Sequence, residues 1–300
     1  MQENNTRLGI FYMLSSVFFF SIMDVCVKIS STNFPIGEII FFRMVFGLIP
    51  IAFIVPKNRW PRLFHTKKLK LHFIRGLVGM LALFSIFTAL KFLELATVTA
   101  IALSSPIFVT MMGIFILGEK VRYKRWAAII CGFFGVIIIV NPTNEFNFYL
   151  LLPIAFCFFF SFVAISVRNL SLGGEPVYII SLYFSLFGIL ASLITIFFSK
   201  WVLPTNWVDF GIIIFLGIAG GLGNTFLTSA YQSSEVGSVT IAKYTSLLFA
   251  ILWGYLFFGE IITLNVIIGA IIIIGSTLFI LGREKTLKKE IRPEKYSIQR

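Results

Sequence analysis

Ten long apolar runs divide the sequence, and short polar stretches separate them. A bilayer core of about 30 Å requires roughly 20 apolar residues of α-helix to cross it. The runs therefore predict an all-α integral membrane protein with ten transmembrane helices. They lie near residues 8–28, 36–55, 73–91, 95–117, 125–141, 149–168, 176–199, 209–230, 236–258 and 265–282. Composition agrees, because 58% of the residues are hydrophobic and only 13% are charged, which a soluble domain could not bury.

Basic residues predict how these helices are oriented. Lys and Arg are concentrated in the stretches 56–75 and 118–125 and in the tail 283–300, whereas SSTNFPIG, NPTNEFN and GEIITLN on the opposite side contain none. Lys and Arg accumulate on the cytoplasmic side of membrane proteins, so the N-terminus (1–7) and the C-terminal tail are both predicted to be cytoplasmic. The excess of 25 Lys and Arg over 13 Asp and Glu then reflects membrane topology, and no nucleic-acid partner is expected.

The two halves of the chain repeat each other at a spacing of 141 residues. Aligned pairs include Gly76/Gly217, Gly79/Gly220, Glu94/Glu235 and Glu119/Glu260. The pattern predicts two five-helix units, residues 8–141 and residues 149–282. Because five is an odd number, the second unit enters the membrane from the opposite face. Inverted repeats of this kind are a frequent basis of alternating access in transporters.

Four ionisable residues inside the predicted spans occur in one half only. The segments FFFSIMDVCVK and FFFSFVAISVR share their phenylalanines, a serine and a terminal base, but Asp24 aligns with Ala164. Glu38 and Arg43 also lack ionisable counterparts, and Lys243 has none in the first half. Each intramembrane charge costs about 3 kcal/mol on insertion scales, so these residues are candidate substrate contacts. The alternative is structural: an ion-pair cluster near the outer interface, and for Lys243 a pair with a carboxylate of another helix.

Further polar residues lie next to these charges in the sequence. Tyr244 and Thr245 follow Lys243, and Ser105 precedes Pro106 in the aligned part of the fourth span. A proline frees a backbone carbonyl one turn earlier, which can face a cavity. The eighth span adds one amide among its glycines. The predicted substrate-binding residues are Asp24, Glu38, Arg43, Ser105, Asn224, Lys243, Tyr244 and Thr245.

Motifs for enzyme chemistry are absent from the sequence. Gly113-x4-Gly118 is followed by Glu119-Lys120 and not by Lys-Ser/Thr, so no Walker A loop is present. The three cysteines lie inside apolar runs without metal-ligand spacing. We therefore expect no enzyme activity, no metal site and no cofactor. The expected partners are a small-molecule substrate and the lipid bilayer. Small residues on the fifth and tenth spans would suit either a homodimer or packing within a monomer.

The architecture resembles the drug/metabolite transporter (DMT) superfamily, EamA type. The resemblance rests on ten helices, an inverted five-plus-five repeat, and a Gly-Glu pair that ends the fourth helix of each half. Four segments are similar to bacterial S-adenosylmethionine uptake carriers of that family: Asp24-Val25-x-x-Lys28, Glu38-x-x-Phe41-Phe42-Arg43, His72-x-x-Arg75-Gly76-Leu77 and Ser104-x-Pro106-x-Phe108. The resemblance implies a central cavity lined mainly by helices one, three, four, six, eight and nine, with helices five and ten behind it and the pairs three–four and eight–nine as gates.

The predicted function is secondary transport of a small polar or zwitterionic metabolite, S-adenosylmethionine-like or amino-acid-like, across a bacterial inner membrane. Asp24 and Glu38 would contact a cationic part of the substrate or carry a coupling proton, and Lys243 would contact an anionic part. Export of amino acids or toxic metabolites and uptake of riboflavin are alternatives within transport. From another class, a lipid-carrier flippase or an intramembrane enzyme remains an alternative.

Overall fold

The structure, a computed structural model, describes residues 6–62, 64, 66–117, 123–141, 147–233 and 242–291, and every regular element in these ranges is helical. Short 3-10 turns occur at Lys57–Arg62, Phe148–Leu150 and Ile194–Phe197. The α-helices are α1 Thr6–Ser30, α2 Ile36–Ile54, α3 Leu69–Phe92, α4 Leu95–Ala102, α5 Ser105–Leu117, α6 Tyr123–Val140, α7 Leu151–Leu172, α8 Val177–Leu193, α9 Trp207–Ser233, α10 Thr245–Phe258 and α11 Leu264–Ile291.

Within the part of the chain that the structure describes, seven helical segments are long and apolar enough to cross a membrane. They are Arg7–Ser30, Ile36–Ile54, Leu69–Phe92, Leu95–Met112, Phe148–Leu172, Val177–Phe197 and Trp207–Ser233. Three shorter apolar helices are Trp126–Val140, Thr245–Phe258 and Leu264–Phe279. The prediction of an all-helical, multi-pass membrane protein is therefore confirmed. The number of ten spans and the inverted repeat stay predictions.

The predicted fourth span is broken into α4 and α5 between Ala102 and Ser105. Pro106 explains the break, because its ring lacks an N–H and fits only the first turn of a helix. The Ser105 hydroxyl donates to the Ala102 carbonyl at 2.7 Å, where the missing N–H of Pro106 would have donated. Ser104 similarly donates to the Ile101 carbonyl at 2.7 Å. The break turns hydroxyl groups toward the middle of the helix bundle.

Glycines let several helices approach closely. A Cβ atom on Gly221 of α9 would lie 2.6 Å from the carbonyl oxygen of Gly47 on α2. A Cβ on Gly269 of α11 would lie 2.6 Å from the carbonyl oxygen of Gly135 on α6. Close backbone approach through small residues is a common way for membrane helices to associate. Helix α9 packs against α1 and α2, α3 packs against α7, and α6 packs against α11 within one chain.

An ionic bridge ties three parts of the chain together at one end of the bundle. Gly259 has a φ of +64°, which ends α10 and reverses the backbone there. The Glu260 carboxylate accepts a hydrogen bond from the Leu95 N–H at 2.8 Å and forms an ion pair with Lys28 of α1. Lys28 also donates to the Leu93 carbonyl at 2.6 Å. This Glu260 bridge therefore holds the α3–α4 connection against the ends of α1 and α10.

Candidate functional site

A cavity of about 180 Å³ lies inside the helix bundle. On the same measure a buried water needs roughly 10–15 Å³, so the space accommodates an organic molecule. Residues from α1, α2, α3, α4, α7, α8, α9 and α10 line it. Most of its wall is aliphatic or aromatic. Four ionisable side chains nevertheless face the cavity, and they are Asp24, Arg43, Arg75 and Lys243.

Asp24 is the acidic residue among these four. It lies on α1, is partly buried, and makes no hydrogen bond or ion pair with any residue that the structure describes. Arg43 of α2 is close enough to attract it electrostatically. A carboxylate needs hydrogen-bond donors or a cation when it leaves water. Asp24 therefore presents free acceptor capacity to whatever occupies the cavity.

Arg75 is the most deeply buried cation of the site, with 2% of its surface exposed. Its Nη2 donates to Asn224 Oδ1 at 3.1 Å, and the Asn224 amide donates in turn to Ser181 Oγ at 3.1 Å. The guanidinium carbon lies 3.7 Å from the ring centroid of Phe184. Nε and Nη1 have no hydrogen-bond partner in the described part of the chain. The guanidinium is thus held in place while two of its donor nitrogens remain unused.

Arg43 approaches the same aromatic ring from another helix. Its guanidinium carbon lies 5.8 Å from the Phe184 centroid. Nε and Nη1 donate to the sulfur atoms of Met23 and Met44, both at 3.4 Å. Thioether sulfur is a weak acceptor, so these contacts satisfy a guanidinium poorly. Two guanidinium groups with unused donors match the oxygen pairs of a carboxylate or phosphate.

Lys243 forms a second basic position, just before α10. Its amine donates to Ser105 Oγ at 2.8 Å and lies 4.5 Å from the ring centroid of Phe160 on α7. The Pro106 break in the fourth span is what brings the Ser105 hydroxyl there. Ser105 therefore positions this lysine beside the cavity.

Among the described residues, four of the predicted site residues do not line the cavity: Glu38, Ser105, Tyr244 and Thr245. Glu38 is fully buried, and its Oε2 accepts a hydrogen bond from the Val202 N–H at 2.9 Å in the segment before α9. Thr245 Oγ1 donates to the Ala242 carbonyl at 2.7 Å, and Tyr244 packs against the main apolar core. Helical phase explains the last two, because neighbouring residues on a helix point in different directions. The structure places Glu38, Tyr244 and Thr245 in supporting contacts instead.

Among the described residues, Arg75 is the charged cavity residue that the predicted set omits. It ends the basic stretch 56–75, which resembles an ordinary cytoplasmic loop in the sequence. In the structure α3 begins at Leu69, so Arg75 lies well inside the helix. The segments 118–122 and 234–241, with Gly118, Glu119 and Glu235, lie outside the described residues. The repeat of these residues therefore stays a prediction.

A membrane-embedded helix bundle around a charged cavity belongs to the class of small-molecule transporters. The chain is a member of the EamA-like transporter family, because the sequence model of that family matches residues 7–141 and again residues 147–282. The resemblance to EamA-type DMT carriers is therefore confirmed.

Individual relatives are similar over nearly the whole chain. The Pseudopaline exporter CntI of Pseudomonas aeruginosa is 26% identical over 274 residues, covering 91% of this chain and 95% of the relative. The S-adenosylmethionine uptake transporter of Rickettsia prowazekii is 26% identical over 284 residues, covering 92% and 93%. Human Solute carrier family 35 member G1 is 30% identical over 296 residues, covering 90% and 78%. These names include both an exporter and an uptake transporter.

A known crystal structure shares the fold. It superposes with a TM-score of 0.65, covering 93% of this chain and 98% of that chain, at 18% sequence identity. At this identity the similarity shows a common fold and nothing about substrate.

Proposed function

We propose that this chain is a secondary carrier of a small zwitterionic metabolite, working by alternating access across a bacterial inner membrane. The observation that carries the proposal is the single cavity in which Asp24 faces Arg43, Arg75 and Lys243. Intramembrane charges are costly, so charges that face a cavity indicate a functional site. Both signs of charge in one cavity match a zwitterion. The similarity to S-adenosylmethionine uptake transporters also supports a substrate with an amino-acid group.

The proposed architecture is ten transmembrane helices in two inverted repeats, residues 8–141 and 149–282. The family model matches each half separately, which supports this organisation. The basic stretches support a cytoplasmic N-terminus and a cytoplasmic C-terminal tail, residues 283–300. In this orientation the Glu260 bridge lies at the outer end of the bundle. Rocking of one half against the other would open that end and close the opposite one.

The roles of the site residues follow from their contacts. Asp24 binds the cationic group of the substrate, and the guanidinium groups of Arg43 and Arg75 bind a carboxylate. Asn224 holds Arg75 in position through the 3.1 Å hydrogen bond, and Ser105 holds Lys243. Glu38 has a structural role, because it is buried against the backbone of Val202 and does not face the cavity.

Export is a second candidate for the direction of transport. The similarity to an exporter over 91% of the chain favours it as much as the similarity to uptake transporters favours import. Both directions use the same cavity, so the residue roles above apply to either. Asp24 and Lys243 both face this central space, which favours a water-soluble substrate over a lipid headgroup.

Replacing Asp24 with asparagine tests the carrier function directly. The change keeps the size of the side chain but removes the charge that would bind the substrate cation. We expect counterflow in proteoliposomes to fall at least tenfold, since one charge-assisted contact is worth about 1.5–3 kcal/mol. The assay uses S-adenosylmethionine and a set of amino acids as substrates. Asp209→Asn, in the first turn of α9 and away from the cavity, is the matched control. Normal counterflow in Asp24→Asn would show that Asp24 does not bind the substrate.

Weakening the Glu260 bridge tests how the outer end closes. Glu260→Gln keeps an acceptor for the Leu95 N–H but removes the negative charge paired with Lys28. We expect about tenfold faster labelling of a cavity cysteine by a membrane-impermeant maleimide added outside, because a shift of about 1.4 kcal/mol changes a population tenfold. The reporter is Thr99→Cys with the native cysteines replaced by alanine. Glu94→Gln serves as the control, since Glu94 only accepts a 3.3 Å hydrogen bond from Thr97. Equal rates in the two variants would exclude the bridge as a closure.

A further inference from the structure

The charges that face the cavity do not balance. Among the described residues, three basic side chains and one acidic side chain line it. With their usual charges they sum to two net positive charges. A desolvated site of this kind binds best a ligand that carries the opposite net charge. We infer that the substrate is an amino acid with a second carboxylate, an anionic aminodicarboxylate, and this inference rests on the carrier function proposed above.

The basic groups occupy two positions that share no helix. Arg43 and Arg75 approach the ring of Phe184, from α2 and α3 onto α8. Lys243 lies over the ring of Phe160, between α7 and the start of α5. A cation over an aromatic face keeps its remaining donors available for a ligand. Two separate cationic positions call for two separate anionic groups on one ligand.

The acid defines which end of the ligand binds where. Asp24 and Arg43 both line the cavity and attract each other electrostatically, so the site offers a carboxylate acceptor together with a guanidinium donor. An α-amino acid presents an ammonium group next to a carboxylate, which is the complementary arrangement. The head group therefore binds between Asp24 and the two arginines. The second carboxylate then reaches Lys243, which lines the cavity.

The rest of the wall fits an aliphatic spacer between the two ends. Side chains such as Val98, Val163 and Leu227 also line the cavity and offer no hydrogen bond. S-adenosylmethionine carries a sulfonium, an ammonium and a carboxylate, and so brings a net positive charge. Placing it among three basic side chains and one acid would add to the uncompensated charge. The cavity composition therefore disfavours S-adenosylmethionine relative to an aminodicarboxylate.

Thermal unfolding of the purified full-length protein in detergent tests this preference. The ligands are L-aspartate, L-glutamate and L-2-aminoadipate, compared with L-asparagine, L-glutamine and S-adenosylmethionine at equal concentration and ionic strength. Ligand at about ten times its Kd raises Tm by roughly 2–4 °C for a chain of this size. We expect a shift in that range from at least one dicarboxylic amino acid, and less than about 1 °C from its amide and from S-adenosylmethionine.

Lys243→Met tests whether Lys243 binds the second carboxylate. Methionine fills a similar volume without charge, so this variant should lose the difference between the dicarboxylic amino acid and its amide. Lys91→Met, at the exposed end of α3 over Phe92, is the matched control and should keep that difference. Lys243→Arg, which restores the positive charge, should keep it as well. An unchanged difference in Lys243→Met overturns the assignment of Lys243.

The wild-type rank order decides the substrate class even where a variant does not fold. Equal or larger stabilisation by the amides or by S-adenosylmethionine overturns the inference, and so does the absence of any shift from the three dicarboxylic amino acids. Proteoliposome flux separates this outcome from the carrier function. If a neutral amino acid is transported but no dicarboxylic amino acid binds, the carrier function stands and the aminodicarboxylate preference is overturned. If a dicarboxylic amino acid binds but no substrate is transported, the preference stands and the carrier function is overturned.

Discussion

Arg75→Met is expected to reduce substrate transport about 100-fold, while Arg168→Met remains within about twofold of the unmodified protein. Removing one partner of a buried charged interaction with a ligand costs about 2–5 kcal/mol, which corresponds to a loss of roughly 30-fold or more. Arg75 meets this condition because it is almost fully buried, faces the cavity, and has two nitrogens without a partner in the described structure. Arg168 of α7 is exposed and does not line the cavity.

The measurement is initial counterflow in proteoliposomes with equal amounts of folded carrier. Size-exclusion chromatography and Tm establish folding, because Met replaces the apolar stem of Arg75 against Phe184 while Asn224 retains its bond to Ser181. Arg75→Lys separates charge from geometry: it keeps the charge but cannot present the planar pair of donors, so we expect an intermediate loss of about tenfold. Full activity in Arg75→Met, with a normal Tm, would assign the arginine to packing.

The sequence predicts the charged residues best where the cost of burying them is largest. Asp24, Arg43 and Lys243 were selected because each is an ionisable residue present in only one half, and all three face the cavity. Asn224 faces it as well. A charge inside an apolar span requires compensation, which limits the places where its side chain can lie. This reasoning therefore works without knowledge of the tertiary structure.

The positions of two residues differ from the sequence-based expectation, for two physical reasons. Glu38 is an intramembrane acid by the same criterion, but its partner is a backbone N–H of Val202, far away in the sequence, and no local pattern reveals such a contact. Arg75 falls both in the basic stretch 56–75 and in the predicted span 73–91, and the sequence alone does not separate the two, whereas in the structure α3 begins at Leu69 with the polar segment LKLH. Helix boundaries set by hydrogen bonds and by hydropathy differ where a helix continues beyond the membrane core.

The helix break at Pro106 shows which part of the local structure the sequence predicts. Pro106 predicts a freed carbonyl in the fourth span. In the structure the helix is interrupted there, and the Ser105 hydroxyl donates a hydrogen bond to the Ala102 carbonyl. The sequence does not predict that the interruption brings Ser105 to Lys243, because that contact joins residues of different halves. Local structure is encoded locally, while the site depends on a contact between the start of α5 and the segment before α10.

Gly221→Ala is expected to lower Tm by about 5 °C or more and to impair transport with it. The added Cβ would lie 2.6 Å from the carbonyl oxygen and 2.8 Å from the Cα of Gly47. Both are backbone atoms, so no side-chain rotation relieves the overlap, and α2 and α9 must move apart. Overpacking of this kind costs about 1–3 kcal/mol. The same two helices carry Arg43 and Asn224, and their separation would displace both from the cavity.

Two further glycines make the test graded. A Cβ on Gly47 would approach no atom closer than the Gly217 carbonyl oxygen at 3.4 Å, so Gly47→Ala should cost less than Gly221→Ala. Gly211, on α9 like Gly221, has nothing within 4 Å of the added atom. Alanine favours helix over glycine by about 1 kcal/mol, so Gly211→Ala should leave Tm unchanged or raise it. Equal losses at Gly221 and Gly211 would mean that the close approach of α2 and α9 does not govern stability. Losses of Tm that decrease in the order Gly221→Ala, Gly47→Ala, Gly211→Ala would instead show that a contact between two glycine backbones holds α2 against α9. The position of Arg43 on α2 then depends on that contact.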